Sequence, residues 1–356
     1  MGKHSVMISE PTIYPTPDNL AKDRQLAEGW EGMIGALSAF RGSLVLISAC
    51  ELGFFTNSDA WEPIKAIAKR CEISEVAARQ LANVVAKLEF GERSKDQFRL
   101  RPEIAVLFEA GSGRDVSHNV KAFRTEVDAW LRMSDIMRGR ADRPEEYSCE
   151  LYFGEILKFE GITMLNRVDA EELIPAAKQF VKSGFDVLDL GGGDGYYAHR
   201  LCQIYDDITV DIVDIENGFV PSERLNQDFL KQKKIRHIEH DARGYKGNTE
   251  YDVVFLNELM ELFNEDDKLA ILQTAVDNMK PGGHLIITKF PMDSSGTSPG
   301  NFPLFSMRMF MKFEDAYLES EGALIEWAQT MGLKLVKHFS GARVLLAFTK
   351  PKGGSS

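Results

Sequence analysis

Cysteine is scarce in this 356-residue chain, and the four present, Cys50, Cys71, Cys149 and Cys202, are scattered with no Cys-x-x-Cys pair. That argues against a disulfide framework or a cysteine zinc site and fits reduced thiols in a cytoplasmic protein. Histidine is thin as well. The seven are dispersed, and only His240 beside Asp241 suggests a pair, so no metal is expected. Positive charge is short: 42 Lys and Arg against 54 Asp and Glu leave a net charge of -12. This disfavours nucleic acid or an anionic membrane surface as the main partner. No apolar run approaches the length of a bilayer span, and the opening MGKHSVMISEPTIYPTPDNL lacks the apolar stretch of a secretory signal. What is present is ordinary for a globular protein, 44% hydrophobic and 27% charged, with length enough for one large domain or two.

The first part of the chain reads as helical. Met33, Ile34, Leu37, Phe40, Leu44 and Ile47 recur three and four apart between Asp23 and Phe55, and Gly53 ends the run. EPIKAIAKRC and SEVAARQLANVVAKLEF follow as two short helices, the second with Ser74 as N-cap. Gly91 stops it, and ERSKDQFRLRPEIAVLF reads as a polar hairpin. Helix, helix, hairpin is the order of a winged helix. A DNA reader needs clustered Lys and Arg, and the second helix offers only Arg79 and Lys87, so packing is expected instead. The long apolar first helix needs more cover than so small a module supplies, which predicts pairing with a second chain as a homodimer. These residues, 1–112, form a helical winged-helix dimerisation domain in this reading. Residues 113–168 form connecting helices rich in Phe, Tyr, Trp and Met that supply part of a small-molecule pocket.

From Phe185 strands and helices alternate. DVLDL, ITVDIVD, IRHIEHD, YDVVFLN and GGHLIITKF read as strands, YYAHRLCQIY, RLNQDFLKQ, EDDKLAILQTAVDNM and EGALIEWAQTMG as helices, and LKLVKHF with ARVLLAFTK as a closing hairpin. Such alternation predicts an α/β domain over 169–350 with a doubly wound, mostly parallel Rossmann-like sheet, followed by a disordered tail at 351–356.

Ligands of such sheets bind beyond the carboxyl ends of the strands, where DLGGGDG lies. The dinucleotide fingerprint GxGxxG fails, because its last glycine would fall on Tyr196 or Tyr197, and no Lys-Ser/Thr follows for a P-loop. What fits is acid-x-Gly-x-Gly-x-Gly over Asp189, Gly191, Gly193 and Gly195. That spacing resembles motif I of class I methyltransferases. The resemblance implies S-adenosylmethionine as cofactor, with the glycines close to its methionine part and Asp189 orienting its ammonium. It implies a ribose ligand at the end of the next strand, Asp214 with Ile215 beside it (Asp211 is the rival), and an adenine neighbour at Asp241 with Ala242. With the N-terminal helices, the whole chain from about 25 to 350 resembles the small-molecule O-methyltransferases of plants and bacteria, whose N-terminal module dimerises.

One stretch departs from that family. After the fourth strand its members read Leu-His-Asp/Asn-Trp, and the histidine takes a proton from a phenolic hydroxyl. Here VVFLNELMELFNEDDKLAIL puts Glu261 at the histidine, Phe263 at the tryptophan and Asn257 at a commonly basic position facing the cofactor. Asn264 with Asp267 as a helix cap supports the register. Glu261 is then a solvated helix-start acid, a general base, or a ligand for a substrate hydroxyl. The last role suits a thioether acceptor, which loses no proton, and the family has such a branch: bacterial S-methyltransferases of 4-methylthio-2-hydroxybutyrate, on the route to dimethylsulfoniopropionate. Candidate substrate contacts are Tyr152, Phe153, Arg124, Met307, Arg308 and Met311, with Arg167 and Lys312 as further cations for a carboxylate. O- or C-methylation with Glu261 as base is the alternative, and a non-catalytic S-adenosylmethionine-binding regulator a remoter one.

Overall fold

In the computed structural model, which describes residues 20–110, 114–143 and 160–352, the chain divides into two units. One comprises the residues up to Phe55 together with Asp59–Arg101; the other comprises Thr56–Ser58 and everything from Pro102.

In the first unit, helices Leu20–Ser38 and Phe40–Glu51 replace the single helix expected, with a break at Ala39. Strand β1 (Glu62–Pro63) leads into helices Ile64–Arg70 and Glu75–Lys87, then strands β2 (Gly91–Ser94) and β3 (Gln97–Leu100). The strands form an antiparallel sheet in the order β1-β3-β2. Ser74 caps helix Glu75–Lys87 by accepting from the Ala77 amide at 3.1 Å. Ala78, Ala82 and Val85 share the buried face of that helix, as a spacing of four and three dictates. Arg79, one of its two basic residues, is paired with Asp96.

Trp30, Met33, Ile34, Leu37 and Phe40 form an exposed apolar stripe. Among the described residues, the stretch Glu28–Glu51 is long and apolar enough to cross a membrane by length and composition. The expectation that no such stretch exists is thereby corrected. The sequence has no unbroken apolar run, but Gly, Ala and Ser between the large residues keep the average apolar.

The second unit is built on seven strands: β4 (Phe185–Leu190), β5 (Ile208–Asp214), β6 (Ile235–Glu239), β7 (Tyr251–Asn257), β8 (Met279–Lys289), β9 (Lys334–Ser340) and β10 (Val344–Thr349). Their order is β6-β5-β4-β7-β8-β10-β9. The first five are parallel to their neighbours, and β10 runs antiparallel to both β8 and β9. Alternation along the buried strands feeds two cores. Leu188, Leu190, Val254 and Leu256 face helices Glu265–Asp277 and Glu321–Thr330 through Ile271, Leu272, Leu324 and Ala328. Val187, Val253 and Phe255 face helices Glu160–Ala177 and Tyr196–Ile204 through Leu173, Ala177, Ala198 and Leu201. β4 lies at the point where strand order reverses, with β5 on one side and β7 on the other. That is where an open α/β sheet leaves its crevice.

Candidate cofactor and acceptor site

The loop after β4 is held by backbone conformations that favour glycine: Gly191, Gly193 and Gly195 have φ of 72°, 52° and 67°. Two of them show different requirements. A Cβ on Gly195 would stand 2.5 Å from Ser222 Oγ, 2.7 Å from Asn226 Nδ2 and 2.8 Å from Ile212 Cδ1, so this glycine packs the loop against its neighbours. A Cβ on Gly193 would meet nothing within 4 Å. The space it faces is open to a ligand.

Asp214, at the end of β5, ties the loop down. Its carboxylate accepts from the Gly193 amide at 2.8 Å and from the Ile215 amide at 2.8 Å. Burial raises its pKa, opposed by those two amides. Asp211, the rival, is committed elsewhere: it pairs with Arg236 at 2.5 Å and accepts from Tyr251 Oη at 2.7 Å.

Asp189 is buried at the end of β4. Its Oδ1 accepts from Asn257 Nδ2 at 2.9 Å, and Asn257 Oδ1 in turn accepts from Thr288 Oγ1 at 3.0 Å. Asn257 thus orients Asp189. Oδ2 of Asp189 is buried with no hydrogen-bond partner among the described residues. Burial pushes the carboxyl up to about 7, partly offset by Asn257 and reinforced by Asp214 and Asp194. A buried acid with one oxygen unpaired is completed by a proton or by a cation. The open side of Gly193, the anchored Asp214 and this orphaned oxygen fit the ammonium-bearing, ribose-bearing S-adenosylmethionine.

Asp241 lies just past β6 but is held by Arg243, whose amide and guanidinium both donate to it, at 2.7 Å from the amide nitrogen and 3.0 Å from Nε. That pairing keeps its carboxyl below the usual range. Ala242 is buried in the sheet core beside it.

Glu261 departs most from the solvated reading, which the structure corrects. It sits in the short turn Met260–Leu262, 4% exposed. The register is supported by Asn264, whose Oδ1 accepts from the Asp267 amide at 3.0 Å as the helix cap. Glu261 Oε1 is buried without a hydrogen-bond partner among the described residues. Burial, and then the charges of Glu258 and Glu319, push its carboxyl up to about 8, against an opposing Lys289.

Several polar residues at this end of the sheet carry no motif in the sequence. Glu258 has φ of 47° and accepts from Arg343 Nε at 2.9 Å. Arg343 also reaches Asp169 at 2.6 Å and lies 3.9 Å from the centre of the Phe290 ring. Arg167 pairs with Asp194 at 3.3 Å. The only signal pointing to Glu258 was a second acid in NELMELF.

Helix Phe302–Lys312 brings three of the expected substrate contacts onto one element. Arg308 makes a two-pronged pair with Glu126 at 2.7 and 2.9 Å, and Lys312 Nζ lies 3.7 Å from the same carboxylate. Burial and then Arg308 push the Lys312 amine down to about 7. Met311 is buried against Ala129 and Ile136, Met307 is half-buried, and Arg124 is exposed. Tyr152 and Phe153 lie outside the described residues.

Residues 164–338 match the family described as methyltransferase domain. The chain is 23% identical to the acetylserotonin O-methyltransferase of Gallus gallus over 317 residues, covering 83% of this chain and 88% of that one. An O-methyltransferase family protein from Burkholderia thailandensis superimposes with a TM-score of 0.76 at 20% identity, over 91% of this chain and 98% of that one. Human N-acetylserotonin methyltransferase, solved in complex with SAM, superimposes with a TM-score of 0.73 at 18% identity, over 91% and 98% of the two chains.

Proposed function

We propose that this chain, an S-adenosylmethionine-dependent methyltransferase, belongs with the class I small-molecule O-methyltransferases, as its methyltransferase domain and its acetylserotonin O-methyltransferase relatives support, and that its acceptor loses no proton on methylation. The favoured acceptor is the thioether sulfur of a small hydroxy acid such as 4-methylthio-2-hydroxybutyrate, the S-methylation step on the route to dimethylsulfoniopropionate. The observation that carries this reading is Glu261. In place of a histidine base the chain has a buried acid whose pKa is pushed to about 8, which favours the proton-holding form at neutral pH, while the same upward shift is what a carboxylate base requires. A protonated carboxyl donates a hydrogen bond but takes no proton.

S-adenosylmethionine supplies a methyl group bound to a positively charged sulfur. Asp214 and the Gly191–Gly195 loop would hold and orient it, and the unpaired oxygen of Asp189 would meet its ammonium. Glu261 holds the acceptor hydroxyl, and Arg308 and Lys312, on helix Phe302–Lys312 and paired with Glu126, are the candidate cations for its carboxylate. A new C–S bond forms on the acceptor as the old one breaks, the positive charge moves with the methyl group, and no base is needed. The protein's part is alignment and exclusion of water.

A second reading, O-methylation with Glu261 as base, is favoured by the curated relatives, which are named as O-methyltransferases. Glu261→Gln separates the two. For a thioether acceptor we expect KM to rise and kcat to change little, because a contact made equally in ground and transition states is uniform binding. A loss of roughly 10²–10⁴-fold in kcat, with the wild-type rate falling as pH drops through one ionisation, would establish the base instead.

The first unit acts in this reading as a winged-helix dimerisation module, not as part of a DNA-binding regulator. Helix Glu75–Lys87 spends Arg79 on Asp96, and the exposed stripe from Trp30 to Phe40 suits a second copy of the chain. We expect a homodimer by light scattering at micromolar concentration. Leu37→Glu with Phe40→Glu should give monomers; a wild-type monomer would contradict the assignment. The buried thiols of Cys50, Cys71 and Cys202 suit the cytoplasm.

A further inference from the structure

Behind Glu261 lies a buried charge cluster that no sequence motif marks. Lys268, in the first turn of helix Glu265–Asp277, and Lys289, the last residue of β8, are 0% and 1% exposed, and Glu319 is 2% exposed. Lys268 Nζ lies 2.9 Å from Glu319 Oε2, 2.5 Å from the Tyr317 carbonyl oxygen, and 3.5 Å from the centre of the Tyr317 ring. Lys289 Nζ lies 3.6 Å from Glu319 Oε1 and donates to the backbone carbonyls of Glu319 at 2.7 Å and Phe290 at 2.9 Å. Lysines from two separate elements, the start of a helix and the end of β8, thus converge on one carboxylate in the segment before helix Glu321–Thr330.

Two buried lysines against one carboxylate leave one positive charge. Glu261 is the next buried acid. Its segment runs into the Lys268 helix, where the Lys268 amide donates to the Asn264 carbonyl at 3.0 Å, and is tied to β8 beside Lys289 by the Glu258 amide, which donates to the Thr288 carbonyl at 2.9 Å. Its carboxyl interacts electrostatically with Glu319, Lys289 and Lys268. Glu258, in its own loop, adds a further negative charge, itself held by Arg343. Helix Phe302–Lys312 meets the turn through apolar packing, with Leu262 against the Met309 and Phe313 cluster, while Arg308 and Lys312 are directed to Glu126. The charge felt by Glu261 is therefore set mainly by the cluster and by Glu258.

We propose that Lys268, Lys289 and Glu319 form a positioning element for methyl transfer, fixing the turn that carries Glu261 and setting by their charges whether its carboxyl presents a proton to the acceptor. The proposal rests on Glu261 facing the acceptor. The geometry gives it a signed consequence. Glu319 is a like charge that favours the proton on Glu261, and Lys289 is an opposite charge that disfavours it.

The test reads Glu261 directly in the full-length protein. Its carboxyl band is isolated by infrared difference between each background and the same background carrying Glu261→Gln, titrated with pH, alongside the pH profile of kcat/KM. Lys289→Met should move the midpoint up and Glu319→Gln should move it down, each by about one pH unit, tenfold in proton affinity. Lys289→Arg, which keeps the charge, should leave it in place. If Glu319→Gln does not fold, Lys289→Met against Lys289→Arg decides alone. Midpoints that stay put, or move the same way in Lys289→Met and Glu319→Gln, overturn the proposal. Midpoints that move in opposite directions while the kcat/KM profile stays fixed support the charge control and refute instead the placement of Glu261 against the acceptor.

Discussion

Gly195→Val should weaken S-adenosylmethionine binding more than a hundredfold. Gly195 holds φ at 67°, and its Cβ would stand 2.5–2.8 Å from Ser222, Asn226 and Ile212. A β-branched residue adds strain in the left-handed region to overpacking, each on the order of 1–3 kcal/mol. Relief requires the loop to move away from the segment carrying Ser222 and Asn226, and the cofactor cradle moves with it. Asp214→Ala should cost about 1.5–3 kcal/mol of affinity, the range for charge-assisted hydrogen bonds left unmade. That carboxylate anchors the Gly193 and Ile215 amides. Gly193→Ala separates the roles. Its Cβ meets no protein atom within 4 Å, while its φ of 52° strains an alanine by about 1–2 kcal/mol, so a loss of binding larger than the small drop in melting temperature from that strain would place that space at the cofactor. Isothermal titration calorimetry checks all three, and unchanged affinity in Gly195→Val and Asp214→Ala would contradict the loop's assignment.

Lys268→Met should destabilise the second unit by about 3–5 kcal/mol, the range for removing one partner of a buried ion pair. The methionine fills much of the volume. It leaves the Tyr317 carbonyl without its buried donor and Glu319 with only the longer contact to Lys289. Lowering of the thermal midpoint by roughly 10 °C is expected for a domain of this size. Circular dichroism melts check it, and an unchanged midpoint would show that the cluster stabilises nothing. Arg79→Met, which breaks the far more exposed pair with Asp96, should leave the melting temperature essentially unchanged, because solvent screens a surface pair.

The difference between these two lysine and arginine sites explains what the sequence could and could not show. β5 and β7 were legible to the residue, because Ile208–Asp214 and Tyr251–Asn257 are apolar runs with polar boundaries. β8 begins earlier than its apolar run suggests, at Met279, with Gly282 and Gly283 inside the strand. Helix Phe302–Lys312 had no legible face: FPLFSMRMFMK is apolar on nearly every side, and Pro303 in its first turn was the one available signal. The glycine loop was readable because its chemistry is local. Lys268, Lys289 and Glu319 were not, because they are far apart in sequence and each alone looks like a surface charge. Glu261 was located by register against the family, yet its burial depends on packing around the turn that no local pattern encodes.

The central claim is that methyl transfer here needs no proton removal. It is tested most directly by incubating the protein with methyl-labelled S-adenosylmethionine and a panel of thioether hydroxy acids, phenols and keto acids, and locating the label in each product. The account predicts label on sulfur, as a sulfonium product of the thioether hydroxy acid, at a rate that does not fall as pH drops from about 8 to 6. Label on oxygen or carbon of the other acceptors, with the thioether untouched, would contradict it.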